Sequence, residues 1–200
     1  MIFFGRKKKE TTPALPILQT ERLILRAFDQ NDAASLHAFA QSETVAQMAG
    51  FQPHKSMEDS HRMVRDFMAS GAVWAVVEKR TGRMIGFASL HTDSTRCTGH
   101  ARKLAYTLGE EYWGQGFATE TCRELIRHAF ETLNCLVLSV SHFPFNHKSR
   151  RVIKKLGFTH EGVQRWAHDL PDGTVSDLVC YSLLRSEYEA QKTGKRTEGN

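Results

Sequence analysis

A chain of 200 residues, 40% hydrophobic and 24% charged, has the make-up of one globular α/β domain with a tail at each end. Its net charge of +5, part of it in the terminal stretches "GRKKK" and "KTGKR", permits nucleic-acid or ribosome proximity without arguing for it. No apolar run approaches the roughly 20 residues that a bilayer span needs. The opening "MIFFGRKKKE" puts its apolar residues before its basic ones and has no small-residue cleavage site, so it reads as a disordered arm rather than a signal peptide. Cys97, Cys122, Cys135 and Cys180 are far apart, with no CxxC and no metal-ligand spacing, and read as reduced thiols of a cytoplasmic protein without a metal.

"ERLILRAF" (21–28) alternates apolar and polar residues as a strand does, and Asp29 or Asp32 can cap the helix that follows. "SMEDSHRMVRDFMAS" (56–70) opens as Ser-x-x-Asp, close to a capping box, and its Met57, Met63, Val64, Phe67 and Met68 read as core rather than as a ligand groove. "AVWAVVEK" and "MIGFASLH" flank the turn "RTGR", a hairpin signal with Gly82 as its permissive residue. "RKLAYTLG" (102–109) is another strand. Ala118, Cys122, Leu125, Ile126, Ala129, Phe130 and Leu133 then keep helical spacing. "CLVLSVSHF" (135–143) is a strongly apolar strand, "NHKSRRVIKKLGF" (146–158) a short basic helix ended by Gly157, and "LVCYSLL" (178–184) a final strand. The predicted order is β-α-α-β-β-β-α-β-α-β-β, an α/β fold with a mixed sheet.

The helix at 118–133 is preceded by "EYWGQGFATE" (111–120), an entrance stripped of side chains. Such a start suits an anion, because the first amides of a helix lack partners within it and the dipole is positive there. A dinucleotide fold wants G-x-G-x-x-G soon after its first strand, whereas here Thr119 stands in the third glycine position, halfway along the chain. A P-loop wants G-x-x-x-x-G-K-[ST], which is absent. Coenzyme A remains, beside the plainer reading that the glycines serve only tight helix–strand packing.

Four segments in order, "LQTERLILRAFDQNDAASL", "YWGQGFATE", "NHKSRRVIKKLGFTHEG" and "DLVCYSLLRSEY", resemble the GNAT superfamily of acyl-CoA-dependent N-acetyltransferases. Within it they resemble the RimJ/RimL-type branch, which acetylates ribosomal-protein N-termini. The resemblance implies a GNAT fold over residues 17–187, with a central mixed, mostly antiparallel sheet of about seven strands flanked by helices. It leaves 1–16 as a disordered basic arm and 188–200 as a disordered tail. The family's pyrophosphate motif falls on residues 113–118, with Trp113 where the superfamily has Arg or Gln. The implied acetyl-CoA contacts are Leu108 through its main chain, Gln115, Gly116, Phe117, Ala118, Thr119, Asn146, Ser149 and Arg150. Ser149 is implied as the general acid for the departing thiolate, and Tyr106, at the usual depth of the cleft, is a further candidate for the base, beside the plainer reading that it only packs. Asn146 can also cap the helix that follows it, Ser149 can be a solvated helix residue, and Arg150 and Lys154 can simply face solvent.

The reaction implied is direct attack of a neutral amine on the thioester, and no G-x-S-x-G nucleophile motif argues otherwise. Many relatives carry a glutamate as base on the strand before the loop; here Arg102 and Lys103 occupy that segment. Strand alternation lets only one of them enter the cleft, where it would recognise an acidic group on the acceptor. His100, His142 and His168 are candidate bases by their ordinary pKa. Met48, Phe51 and His54 are implied on the acceptor side, with Asp177 on the opposite wall. The acceptor expected is a primary amine, foremost a protein N-terminus, met by a monomer or homodimer without direct nucleic-acid or membrane contact. The alternatives are acetylation of a small amine such as a polyamine or antibiotic, and a non-catalytic acyl-CoA-binding regulatory module.

Overall fold

A computed structural model describes residues 15–197. Its elements in chain order are β1 (Leu18–Gln19), β2 (Leu23–Ala27), α1 (Asp32–Ala40), α2 (Glu43–Ala49), α3 (Met57–Ser70), β3 (Val73–Glu78), β4 (Met84–Thr92) and β5 (Ala101–Leu108). A single 3₁₀ turn at Glu110–Tyr112 leads to α4 (Phe117–Glu131), β6 (Val137–His142), α5 (His147–Lys155), β7 (Thr159–Asp169), β8 (Val175–Leu184) and α6 (Arg185–Thr197). The strands form one sheet in the order β1-β2-β3-β4-β5-β6-β8-β7. Every neighbouring pair is antiparallel except β5–β6, which α4 joins as a crossover and which is parallel. The predicted α/β architecture therefore holds, with eight strands where about seven were expected, β1 being a two-residue addition ahead of β2.

The sheet separates two apolar layers, and alternation along β3 shows how. Trp74 and Val76 join the layer beneath α4 and α5, while Val73, Ala75 and Val77 join the layer beneath α1 and α3. A strand buried on both faces must be apolar throughout, which is why "VWAVV" lacks the polar alternation of β2. The Trp74 indole N–H donates to the Pro16 carbonyl at 2.9 Å and ties the chain's entry to this central strand.

Local signals are realised where their side chains are free to act. Ser56 and Asp59 close a full capping box on α3, Gly82 turns the β3–β4 hairpin at φ 68°, and Gly157 follows α5 at φ 79°. Neither Asp29 nor Asp32 caps α1. The Asp32 carboxylate is taken by the Arg26 guanidinium, through bonds of 2.7 and 2.8 Å, and cannot turn back to the helix amides. In α3 only Val64 is fully buried among the five predicted core residues; Met57 and Met68 are exposed.

The domain extends past both predicted limits. Residues 1–14 of the expected arm lie outside the described residues, but Leu15 already packs on the core. At the other end, α6 takes in residues 188–197, which were expected as a tail. Tyr188 explains the extension: its ring stacks on Phe130 of α4 at 4.9 Å and its hydroxyl donates to Glu131 at 2.7 Å. Arg185, at the β8–α6 junction, donates to the Phe130 and Cys135 carbonyls and anchors the helix's first turn. Tyr188→Ala should cost about 1–3 kcal/mol of stability, from lost stacking and buried area. Urea unfolding measures this, and an unchanged midpoint would show that α6 adds nothing to the domain.

Candidate active site

The central feature of the sheet is a gap. β5 and β6 are paired only from Ala101–Val137 to Lys103–Ser139. Beyond that β5 continues to Leu108 beside β4 alone, and β6 continues to His142 beside β8 alone. Two strands that part within a sheet expose unpaired main-chain donors and acceptors to whatever enters between them. The space between them belongs to a cleft of ≈ 700 Å³ that runs from α2 and α3 across the sheet to α4 and α5.

At one end of the cleft stands the start of α4. Gly114 and Gly116 have φ of 77° and 84°, a region that side chains with a Cβ avoid, so the loop needs glycine for its path. The N-cap is Gly116 itself and no side chain caps the helix. The first intrahelical bond is from Glu120 to the Gly116 carbonyl at 3.0 Å, which leaves the amides of Phe117, Ala118 and Thr119 for a ligand. Trp113, out of step with the superfamily, folds back so that its indole N–H donates to the Leu108 carbonyl at 2.9 Å. The Lys148 ammonium lies 3.8 Å from the centre of the same ring, so the loop before α4 and the first turn of α5 meet over the cleft.

The opposite wall brings Tyr106 and Ser149 together. The phenol oxygen is 2.8 Å from Ser149 Oγ, and burial pushes the Tyr106 pKa up, so the phenol keeps its proton. Ser149 is held by Asn146, whose Oδ1 accepts the Ser149 amide at 2.9 Å as the cap of α5. The Asn146 amide group also donates to the Met48 carbonyl at 3.0 Å, bridging to α2 and leaving its second hydrogen unused.

At its α2 and α3 end the cleft is apolar, with Val45, Met48, Phe51, Met63, Phe67 and Phe87 facing it. Met63 and Phe67 thus line the groove as well as packing on the core, where core packing alone was predicted. Lys103 lines the cleft; Arg102, its strand neighbour, does not, and its guanidinium donates to the Gly99 and Ala101 carbonyls. Among the described residues that line the cleft there is no Asp or Glu, whereas Lys103, Lys148, Arg151 and Lys155 are all present. The fixed charges of this lining are therefore all positive.

Of the candidate bases, His142 and His168 line the cleft and His100 does not. His142 Nδ1 lies 2.8 Å from the Phe143 carbonyl, which can only accept, so Nδ1 carries the proton and Nε2 keeps a lone pair. That Nε2 is buried without a partner, and burial lowers the ring's pKa. His168 Nε2 instead donates to the Gly50 carbonyl at 3.1 Å.

Other expected site residues lie elsewhere. Asp177 is not on the cleft wall; its carboxylate accepts the Trp166 amide at 2.8 Å and holds a bulge in β7 where Trp166 has φ 48°. His54 turns away to Ser60 at 2.8 Å. Helical phase sends Arg150 and Lys154 off the cleft and brings Lys148, Arg151 and Lys155 to it. Gln115 does not line the cleft; its side chain donates to the Glu111 carbonyl at 2.7 Å and its own carbonyl accepts from Arg22. The three cleft-facing cations of α5 were legible only from its helical phase, once its buried face was known.

A family model described as Acetyltransferase (GNAT) domain matches residues 22–159. The chain is 30% identical over 176 residues to the uncharacterized N-acetyltransferase YoaA of Bacillus subtilis, covering 85% of this chain and 97% of that one. It is 25% identical over 185 residues to the [ribosomal protein uS5]-alanine N-acetyltransferase of Escherichia coli, covering 86% and 92%. The solved structure of the Microcin C7 self immunity acetyltransferase MccE, in complex with acetyl-CoA and AMP, superposes with a TM-score of 0.72 at 20% identity, covering 82% and 93%.

Three buried imidazoles make a prediction about pH. Burial is the largest cause holding His54, His128 and His142 below the ordinary value of 6.5. The native state therefore keeps them neutral while the unfolded chain takes up protons, so stability falls as pH drops below 6.5 and is fully present above it. The paired carboxylates Asp93 and Glu120, held low, add their own loss only in more acid solution. Urea unfolding at pH 7.5, 6.5 and 5.5 should show a falling free energy, and a flat profile would contradict the neutral assignment.

Proposed function

Because the chain belongs to the GNAT acetyltransferase family, whose donor is acetyl-CoA, we propose that it transfers acetyl to the α-amino group of a protein N-terminus. The observation that carries this acceptor class is the sign of the cleft. A polyamine or aminoglycoside brings several positive charges, and the lining offers them cations and no carboxylate. A peptide N-terminus brings one amine of pKa about 7.7–8.0, appreciably neutral at physiological pH, with a first side chain that the apolar wall at Met48, Phe51 and Phe67 can accept. The similarity to a uS5-alanine N-acetyltransferase supports the same class.

In this reading the phosphates of acetyl-CoA lie at the amides of Phe117, Ala118 and Thr119 and at the cations of α5, and its amide-bearing arm follows the unpaired edge of β5 to Leu108. The neutral amine attacks the thioester carbonyl carbon, and the C–S bond breaks as the tetrahedral intermediate collapses. The sulfur takes its proton from the Ser149–Tyr106 pair, whose phenol is kept protonated by burial, and solvent returns a proton to the pair once CoA has left. The proton shed by the attacking amine passes to an imidazole lining the cleft, His142 or His168. An α-amine makes a small demand on that base, which fits a cleft without a carboxylate.

Release of free CoA from acetyl-CoA, followed with a set of short peptides, a polyamine and an aminoglycoside, tests the acceptor. Turnover with peptides and none with the polycations is expected. Faster turnover of a polycation would overturn the acceptor class, and CoA binding without turnover of any amine would favour a regulatory module. With the best peptide, Ser149→Ala should lower kcat about a hundredfold, as loss of general-acid help does, with the KM for acetyl-CoA little changed. An unchanged kcat would return Ser149 to a plain helix residue.

A further inference from the structure

The first turn of α4 holds a carboxylate that ought not to be there. Glu120 sits four residues past Gly116, beside the amides that the proposed function gives to phosphate. An acid in a first turn suits the helix dipole, but it competes with a bound polyanion for the same positive end and repels it. The chain deals with Glu120 from a distance of about 100 positions. Its Oε1 accepts the Thr20 hydroxyl at 2.6 Å and the Arg22 amide at 2.9 Å. Its Oε2 accepts Arg22 Nε at 2.7 Å and lies 2.6 Å from Nη2, a two-pronged ion pair. The remaining arm of the guanidinium, Nη1, donates to the Gln115 carbonyl at 3.1 Å, and Cζ lies 4.3 Å from the centre of the Phe117 ring.

The Gln115 bond bears on the loop itself. In a trans peptide the carbonyl and the following N–H point in opposite directions, so a Gln115 carbonyl tied to Arg22 sends the Gly116 N–H away from Arg22. Arg22 thus touches the loop's orientation and the charge beside it with one side chain. It does so while packed on residues 115–117, where a Cβ on Gly116 would sit 3.4 Å from Nη2.

We propose that Arg22 is a positioning residue for the cofactor, cancelling the charge of Glu120 and fixing the Gln115–Gly116 peptide so that the entrance of α4 accepts phosphate. This rests on the acetyl-CoA reading of the cleft. Its consequence is unusual for an arginine near a phosphate site: the arginine serves by pairing with an acid, so removing the acid as well should undo most of the harm of removing the arginine.

Calorimetric titration of CoA and of 3′-dephospho-CoA into the folded chain and its variants tests this. Arg22→Met, which keeps the stem and frees the Glu120 charge, should weaken both ligands about tenfold, near the worth of one charge-assisted hydrogen bond. Arg22→Lys keeps the charge but not the fork that reaches both Glu120 and the Gln115 carbonyl, so it should fall between wild type and Arg22→Met, and it serves if Arg22→Met fails to fold. Arg22→Met with Glu120→Gln should recover most of the lost affinity. Unchanged affinity in Arg22→Met alongside a lowered Tm would make the pair a structural clamp and overturn the proposal. A double variant as weak as Arg22→Met would mean that cancelling the Glu120 charge is not what Arg22 does, and a loss seen with CoA and not with 3′-dephospho-CoA would mean that Arg22 touches the 3′-phosphate directly; either would overturn it. A wild-type chain that binds neither ligand would instead sink the cofactor reading on which the proposal stands.

Discussion

Everything functional here depends on β5 and β6 ceasing to pair after three residue pairs. A parallel pair in the middle of a sheet would ordinarily run the length of its strands, because an unpaired main-chain group in an apolar interior costs about as much as a lost hydrogen bond. This sheet leaves Leu104–Leu108 on one side and Val140–His142 on the other without partners across the gap. The deficit is tolerable if an extended, amide-bearing ligand completes the ladder, much as a peptide adds a strand to a sheet edge. The gap also explains the placement of the helices. α4 follows β5 and α5 follows β6, so parting the strands parts the two helix N-termini and points both at the same opening.

Charge then divides the opening by task. The end at α4 and α5, which the proposed function gives to the donor, has free amides, Lys148, Arg151 and Lys155, while the end at α2 and α3 is apolar apart from Lys103 and two imidazoles. With no carboxylate among the lining residues described, the lining favours a polyanion and offers a protonated amine no counter-charge. Tyr106 and Ser149 lie between the two ends, where a sulfur would leave. Their hydrogen bond needs the Asn146 cap and the Met48 carbonyl to stay in place. The Tyr106–Ser149 pair is thus coupled to the packing of α2 against α5.

Much of this was legible in the sequence for physical reasons. Alternation, capping and glycine placement identified the elements, because each reports on a local requirement: Ser56 with Asp59, Gly82 in its turn, the bare entrance of α4. The uncapped start of α4 was legible because two glycines precede an amphipathic helix and supply no side chain to its first amides. What escaped were side chains whose fate is decided by distant partners. Asp32 was taken by Arg26, Asp177 by the Trp166 amide, and Tyr188 by Phe130, and none of those partners is near in sequence except Arg26. Arg150 and Arg151 could not be told apart until Ile153 was seen to be the buried residue that sets the rotation of α5.

The most direct test of the account is amide hydrogen exchange with and without CoA, read residue by residue. Binding in the gap predicts new protection at Ala105–Leu108 on β5 and at Phe117–Thr119 at the start of α4, with β2, β3 and α3 unchanged. Protection confined to any other part of the chain, or a bound ligand that leaves both of those segments exchanging as before, would contradict the claim that the parted strands and the bare helix entrance form the cofactor site.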